Sequence, residues 1–379
     1  CNVIEKVGKA MSINKTPAKF TAILLIPVSL LLVYISSNKP EMVERLYSEA
    51  IYPPIGKMLS RLTGIIPVSV AEIVVVFVPA AFIVYVLSAL VRSFLHRSFS
   101  AKPVLNFTVN LLVAVSIAFF SFITLWGLNY YRLPFASIAG LEVRPASVEE
   151  LESLCKSLID RANTLRQEVS VDPEGYVDIP GSTRDILRGC YKGYAAIAGR
   201  YPQLAGSYGD PKPVLLSELM NYTGICGVYF PFTGEANVNV SIPEATLPST
   251  AAHEMAHQRG FSREDEANYI AYLACVNHPD VSYRYSGVLL ALINSMNALH
   301  RSDEELYLKL SDGYGPGIKK DLGQINEFWE KYEGPVERTS NRINNTYLKA
   351  NNQKDGVKSY GRMVDLLIAE HRQQVLSHK

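Results

Sequence analysis

Three apolar runs without a charged side chain fill the first third of this 379-residue chain, at 20–38, 73–91 and 104–131. Each is as long as the roughly 18–20 residues that a helix needs to cross the hydrocarbon of a bilayer. In lipid every backbone amide and carbonyl must be satisfied within the segment, so such a run is confined to helix. One buried core helix can imitate a span, but three in succession point to a lipid bilayer as partner. We therefore expect membrane helices near 20–37, 71–91 and 104–126. The first is not a simple cleaved leader, because more spans follow it. Pro79 in the second run is tolerable in a membrane helix. Span interiors free of charge, with no inverted repeat, speak against a transporter.

Orientation follows from Lys and Arg. Lys6, Lys9, Lys15 and Lys19 precede the first run, and Arg92, His96, Arg97 and Lys102 lie between the second and third. Both segments are expected in the cytoplasm. The stretch 38–70 and everything after Trp126 then lie outside, although Lys57 and Arg61 dilute the bias in the former. Trp126, Tyr130 and Tyr131 fit an aromatic belt at the outer interface. The expected organisation is a cytoplasmic segment 1–19, a three-helix anchor 20–127 and an extracytoplasmic domain 128–379. The chain opens on Cys1, and Met11 is a candidate start. The other cysteines are Cys155, Cys190, Cys226 and Cys275; an exterior domain permits disulfides, but spacing alone does not pair them. A net charge of +1 argues against nucleic acid as a partner.

The chemistry is concentrated in His253-Glu254-Met-Ala-His257-Gln-Arg-Gly260. Four residues is about one helical turn, so the two imidazoles lie on one stripe. Neutral imidazole nitrogens so placed reach one Zn2+ at about 2.0–2.1 Å. Glu254 stands beside them, positioned to take a proton from a water activated there. A catalytic zinc needs a third protein ligand. Gly260 reads as the helix end. A second helix is expected from Ser262 as N-cap, with Glu264, Asp265 and Glu266 in its first turns and Ala267, Ile270, Ala271 and Ala274 on its apolar face. Glu264 and Asn268 share a face, so Glu264 can turn back to the metal while Asn268 steadies a histidine. Glu266 is the alternative ligand, and Asp265 belongs to a solvated face. The site is not intramembrane, because 248–259 is short and polar and the acids at 264–266 would be costly in lipid.

These residues resemble the zincin metallopeptidases. The glutamate-ligand branch carries Glu-x-x-Ala-Asp or Glu-x-x-Ala-Asn on a later helix, and this chain reads Glu264-Asp-Glu-Ala-Asn268. The resemblance implies Glu264 as ligand and Asn268 as its companion, although the interval from His257 is short for that branch. The run 253–260 also resembles the metzincin pattern, whose third histidine would fall on Arg263, and Arg cannot bind zinc. A second resemblance covers nearly the whole chain. The three runs, Gly227-Val-Tyr-Phe-Pro-Phe-Thr-Gly-Glu-Ala-Asn237, the metal motif and the segment 347–367 are similar to an uncharacterised family of bacterial membrane proteins filed as a domain of unknown function. It implies a bacterial origin, in keeping with a multi-pass protein of the cytoplasmic membrane.

The fold class expected is mainly α: three membrane helices, then a helix-rich α+β zincin-like domain with a small sheet. Helices are expected at 149–166 and 182–200, and loops at 172–180 and 207–213. The alternation in 236–242 reads as a strand. By the zincin resemblance it is an edge strand that pairs with an extended peptide, and Asn237, Asn239 and Tyr229 become candidate substrate contacts. Tyr347, Tyr360 and Arg362 are candidates for donating to a transition state, Tyr360 also for contacting substrate. The expected function is hydrolysis of peptide bonds in a peptide or protein substrate outside the cytoplasmic membrane, with Zn2+ as cofactor and Glu254 as general base. The competing reading is a non-catalytic sensor or scaffold with a structural or vestigial zinc.

Overall fold

The structure, a computed structural model, describes residues 15–95 and 101–377. Cys1, Lys6, Lys9, Met11, His96 and Arg97 lie outside the described residues. The first apolar run forms Lys15–Ile23 and Leu25–Ser37, the second Val70–Leu95 and the third Ala101–Leu125. Within them Ala18–Ser37, Val70–Ser88 and Leu105–Leu125 are long and apolar enough to cross a membrane. Only 11%, 6% and 11% of these windows is buried. Leu, Val and Phe side chains left so uncovered suit helices whose solvent is hydrocarbon rather than water.

The three apolar helices end in the body that carries His253, Glu254 and His257. Leu25–Ser37 packs on the short turn Gly127–Tyr131. The Glu235 carboxylate accepts from Val70 N (3.1 Å) and Ala71 N (2.7 Å), where a helix start favours negative charge. Lys212 pairs with Glu235 and also donates to Thr63 O (2.7 Å) and Val68 O (3.0 Å). The stretch between the first two spans is a π-helix, Val43–Ile51, followed by the helix Tyr52–Gly64. It joins this body through the buried Glu44–Arg132 ion pair. The ends at 37, 70 and 125 therefore all meet this body.

The body is built on a buried five-helix core: Val148–Arg166, Leu247–Gln258, Glu264–Val276, Val281–Ser302 and Met363–Ser377. The first opens with a capping box between Ser147 and Glu150, within a residue of expectation. The expected helix at 182–200 is instead two, Thr183–Gly189 and Tyr191–Ile197, meeting at Cys190. The second lies against the glutamate-bearing helix through Gly193, whose added Cβ would sit 2.2 Å from Ala274 O. Gly260, at φ +84°, ends the histidine helix. Gly260 N bonds His257 O (2.9 Å) and Phe261 N bonds Ala256 O (3.1 Å), a Schellman motif. The next helix begins at Glu264 with Arg263 as its cap residue and no side-chain cap. Ser262 is thus not the cap. Gln353 Oε1 takes the Glu264 N–H instead (3.1 Å).

The sheet has three strands, β1 (Lys212–Pro213), β2 (Gly227–Phe230) and β3 (Glu235–Val238), in the order β1-β3-β2. This corrects the edge-strand expectation. The segment read at 236–242 is a strand only at 235–238, and it lies in the middle, parallel to β1 and antiparallel to β2. All four β3 residues are buried: a partner on each side and helices above leave no wet face. The edge strands are β1 and β2. The aromatic belt is corrected as well. Trp126 and Tyr130 are 4% and 1% exposed, packed with Val43, Tyr47, Tyr52 and Tyr229 beneath the histidine helix. A ring with a polar handle gains most where that handle meets a buried carbonyl. Cys155, Cys190, Cys226 and Cys275 are free thiols.

Candidate metal centre

Helical spacing puts His253 and His257 on one stripe, with ring centroids 4.7 Å apart and nearly perpendicular. The chain reverses at Gly260 and returns along the glutamate helix, bringing Glu264 Oε2 to 3.1 Å from His253 Nε2 and 3.4 Å from His257 Nε2. One ligand atom from each of the three lies within 4.8 Å of the others. All three residues are buried.

The outer nitrogens are fixed by groups with one role each. Phe261 O, 2.7 Å from His257 Nδ1, can only accept, so Nδ1 carries the proton. Asn268 Nδ2 donates to Tyr360 O (3.0 Å), which turns Asn268 Oδ1 to His253 Nδ1 (2.7 Å). Nδ1 is therefore a donor there too. Both Nε2 atoms are left to face Glu264, the tautomer a metal ligand requires.

Glu266 does not join them. Its Oε1 accepts from Phe135 N (2.9 Å) and Arg263 Nη1 (2.6 Å). The geometry brings Glu264, not Glu266, to the histidines. Asp265 is half-buried rather than solvated, and burial with the neighbouring Glu266 charge pushes its carboxyl up to about 7.

Glu254 is 4% exposed and its Oε2 has no hydrogen-bond partner among the described residues. Burial raises its pKa, although the two imidazoles oppose the rise. The Tyr229 backbone amide of β2 is bonded to this carboxylate. Gly227 is packed so closely that a Cβ there would lie 2.5 Å from Glu254 Oε1. Gly227→Ala should therefore displace Glu254 and lower any turnover by about 10²-fold, the scale of a misplaced acid–base group, with the melting temperature and bound metal nearly unchanged. Equal turnover in the variant would show that Glu254 has room to spare.

Burial works against charge at Glu264 and His257, but each outweighs it for the other. The imidazoles hold Glu264 down to about 2, and Glu264 lifts His257 from 6.5 to about 9. Without metal, a proton thus supplies the positive charge between these groups. The lowered Glu264 contributes stability above its ordinary 4.5 and loses it as pH falls toward 2. The raised His257 contributes below its ordinary 6.5 and loses it as pH climbs toward 9. After chelation, the melting-temperature gap between wild type and Glu264→Gln should be widest from about pH 4.5 to 6.5. Metal affinity should instead rise across and above that window, because His257 must shed its proton to bind. A gap independent of pH would contradict this pairing.

Among the remaining candidates, Tyr360 reaches the site. Its ring stacks on His253 at 6.2 Å, and its hydroxyl is bonded to Glu264 and Asn344. Burial and the Glu264 charge raise its pKa far above the ordinary value, so it stays a neutral donor. The Tyr347 hydroxyl is 3.1 Å from that of Tyr130. Tyr229 pairs with the Tyr52 hydroxyl (3.1 Å). Arg362 is exposed and held by Asp355 and Asp365. Asn237 and Asn239 are occupied inside the protein. Asn237 accepts from Ser69 Oγ (2.6 Å) and donates to Val228 O (3.1 Å). Asn239 donates to Asn221 Oδ1 (2.7 Å) and Ile225 O (3.2 Å).

Sequence reasoning missed the donors that meet the last carbonyls of the histidine helix. Trp126 Nε1 donates to His257 O (3.1 Å), the Tyr52 hydroxyl to Gln258 O (2.8 Å) and Arg132 Nη1 to Gly260 O (3.0 Å). A helix C-terminus needs such partners. No local pattern announces them, since Tyr52 and Gln258 are 206 residues apart.

Residues 47–368 match the sequence profile of a family described as "Protein of unknown function (DUF3810)". No curated protein and no solved structure matches the chain.

Proposed function

The chain belongs to this family of unknown function, and from its site alone we propose that it is a membrane-anchored zinc metallopeptidase of zincin type. The observation that carries the reading is the convergence of His253, His257 and Glu264 beside Glu254, whose buried Oε2 has no partner among the described residues. Two imidazoles and a carboxylate are a donor set that suits zinc and leaves a position open for substrate or water. The uncompensated Glu254 oxygen fits such an occupant, since a buried acceptor without a partner costs about 1–3 kcal/mol.

His253 Nε2, His257 Nε2 and Glu264 Oε2 would hold the ion. When bound, zinc would polarise the scissile carbonyl and acidify a water. Glu254 takes the proton of that water and hands it to the leaving amine, a task suited to a carboxyl whose pKa burial has raised. Once Glu264 holds the ion, the neutral O–H of Tyr360 that now faces that carboxylate would be free to turn to the carbonyl oxygen as negative charge grows there. Asn268 and the Phe261 carbonyl keep both imidazoles in register. The positive charges around the first span and between the second and third support a site outside the cytoplasmic membrane of a bacterium. In this reading 38–70 works with 128–379 rather than as a loop of the anchor.

The test is zinc per purified chain. About one ion is expected in wild type and in Glu266→Ala, and almost none in Glu264→Ala. Carefully prepared wild type without zinc would overturn the proposal. Zinc retained without turnover on any peptide would favour the structural reading.

A further inference from the structure

We propose that the substrate is a polypeptide anchored in the same bilayer, cut within an extended apolar segment at the membrane surface; this rests on the peptidase reading above. The first support is how little chain separates the site from the third span. Trp126 follows the helix Ala101–Leu125 directly, and its indole is bonded to the carbonyl of His257. One turn inside that span, Phe122 meets the ring of Tyr347 at 6.4 Å. The site therefore rests on the last turn of a membrane helix, with no stalk to lift it toward large soluble partners.

The second support is the wall beside it. The helix Pro335–Ala350 carries Val336, Ile343 and Tyr347, which are 57%, 66% and 41% exposed. Spacings of seven and four residues align them in one narrow stripe. That stripe ends at Tyr347, against the span, and its neighbour Asn344 reaches Tyr360 at the site. The apolar surface of the span thus continues up the wall of the metal centre. An uncovered apolar stripe next to a polar centre marks a binding surface.

The third support is the opposite wall. β2 has β3 as its sheet partner on one side, backs onto Glu254 through Gly227 and presents Val228 at 41% exposure. An extended segment can add to that edge through the backbone groups other than the Tyr229 amide, which Glu254 holds, while Val228 and the apolar stripe favour apolar side chains. The two walls meet where an added Gly224 Cβ would lie 3.5 Å from Glu337 Cγ. An apolar segment would be presented here by its own membrane anchor, because confinement to the same bilayer raises its effective concentration.

The test uses the full chain, zinc-loaded in liposomes, with four defined peptide mixtures. These are apolar or polar ten-residue segments, each with or without a transmembrane helix at one end. Cleavage is followed by mass spectrometry against Glu254→Gln. The anchored apolar mixture should be cut at least about tenfold faster than the unanchored one. Ile343→Glu should slow that cleavage about tenfold with zinc content unchanged. Equal rates for anchored and unanchored, or for apolar and polar, would overturn the inference and leave the peptidase standing. If wild type cuts nothing beyond Glu254→Gln, the peptidase reading fails. Photocrosslinking from position 228 in Glu254→Gln then judges the surface alone: preferential capture of the anchored apolar peptide upholds it, and equal capture of all four overturns it.

Discussion

Glu254→Gln should lower peptide hydrolysis by about 10³-fold while zinc content and melting temperature stay close to wild type. The size follows from removing a general base, an effect of about 10²–10⁴. The selectivity follows from the surroundings. Gln has nearly the shape of Glu, so the close approach of Gly227 is undisturbed. Neutralising a carboxyl whose burial already disfavours its charge relieves the fold rather than harming it. The candidate ligand atoms belong to other residues. His257→Ala should instead lose zinc and hydrolysis together, and leave the Glu264 carboxylate buried with half its counter-charge. The two variants thus separate the proton carrier from the ligands, read by kcat/KM on one peptide and metal analysis on one preparation. Hydrolysis undiminished in Glu254→Gln would remove the proposed mechanism outright.

Residues 128–379 produced without the preceding chain should neither melt cooperatively nor retain zinc. Truncation removes Trp126 and Tyr52, whose donors meet the carbonyls of His257 and Gln258, and Glu44, the partner of buried Arg132. Each lost hydrogen bond costs about 1 kcal/mol, and more where a buried carbonyl is left bare. A buried Arg without its carboxylate costs about 3–5 kcal/mol. The truncation also uncovers the cluster that Val43, Tyr47, Tyr52 and Trp126 form with Tyr130 and Tyr229, at about 2 kcal/mol for each large side chain. The loss is of order 10 kcal/mol, comparable with the whole margin of a folded domain. Trp126→Phe in the full chain removes only the indole donor and should cost about 1 kcal/mol, a shift of a few degrees in melting temperature. A truncated domain that melts cooperatively with zinc bound would show that the junction is dispensable.

What was legible in the sequence depended on how far apart the interacting residues stand. A run of apolar residues dictates its own helix, because lipid leaves a backbone no other partner, and all three runs are helices at the expected places. The spacing of His253 and His257 defines a stripe by itself, and Gly260 ends that helix through a left-handed turn that a Cβ would strain. The capping boxes at Ser147 and Ser182 are equally local. The strand 235–238 was legible as a strand, but its place in the middle of the sheet was not, because β1 and β2 reach it from distant or reversing chain. Trp126 and Tyr130 were misplaced for the same reason. At the end of an apolar run they look like interface anchors, and only the folded body supplies the carbonyl and hydroxyl that draw them inside. Glu264 and Glu266 are chemically alike and two residues apart, so their roles could not be told from spacing. The direction of the chain after Gly260 turns Glu264 to the histidines and Glu266 to Arg263 and Phe135 N. The sequence by itself determined the three apolar helices, the histidine stripe with its helix end at Gly260, and the residue types that could hold a metal, because these depend on neighbours within one turn. Which glutamate meets the histidines, which strand lies in the middle of the sheet and which donors close the histidine helix were decided by tertiary structure alone, because those partners stand up to 206 residues away.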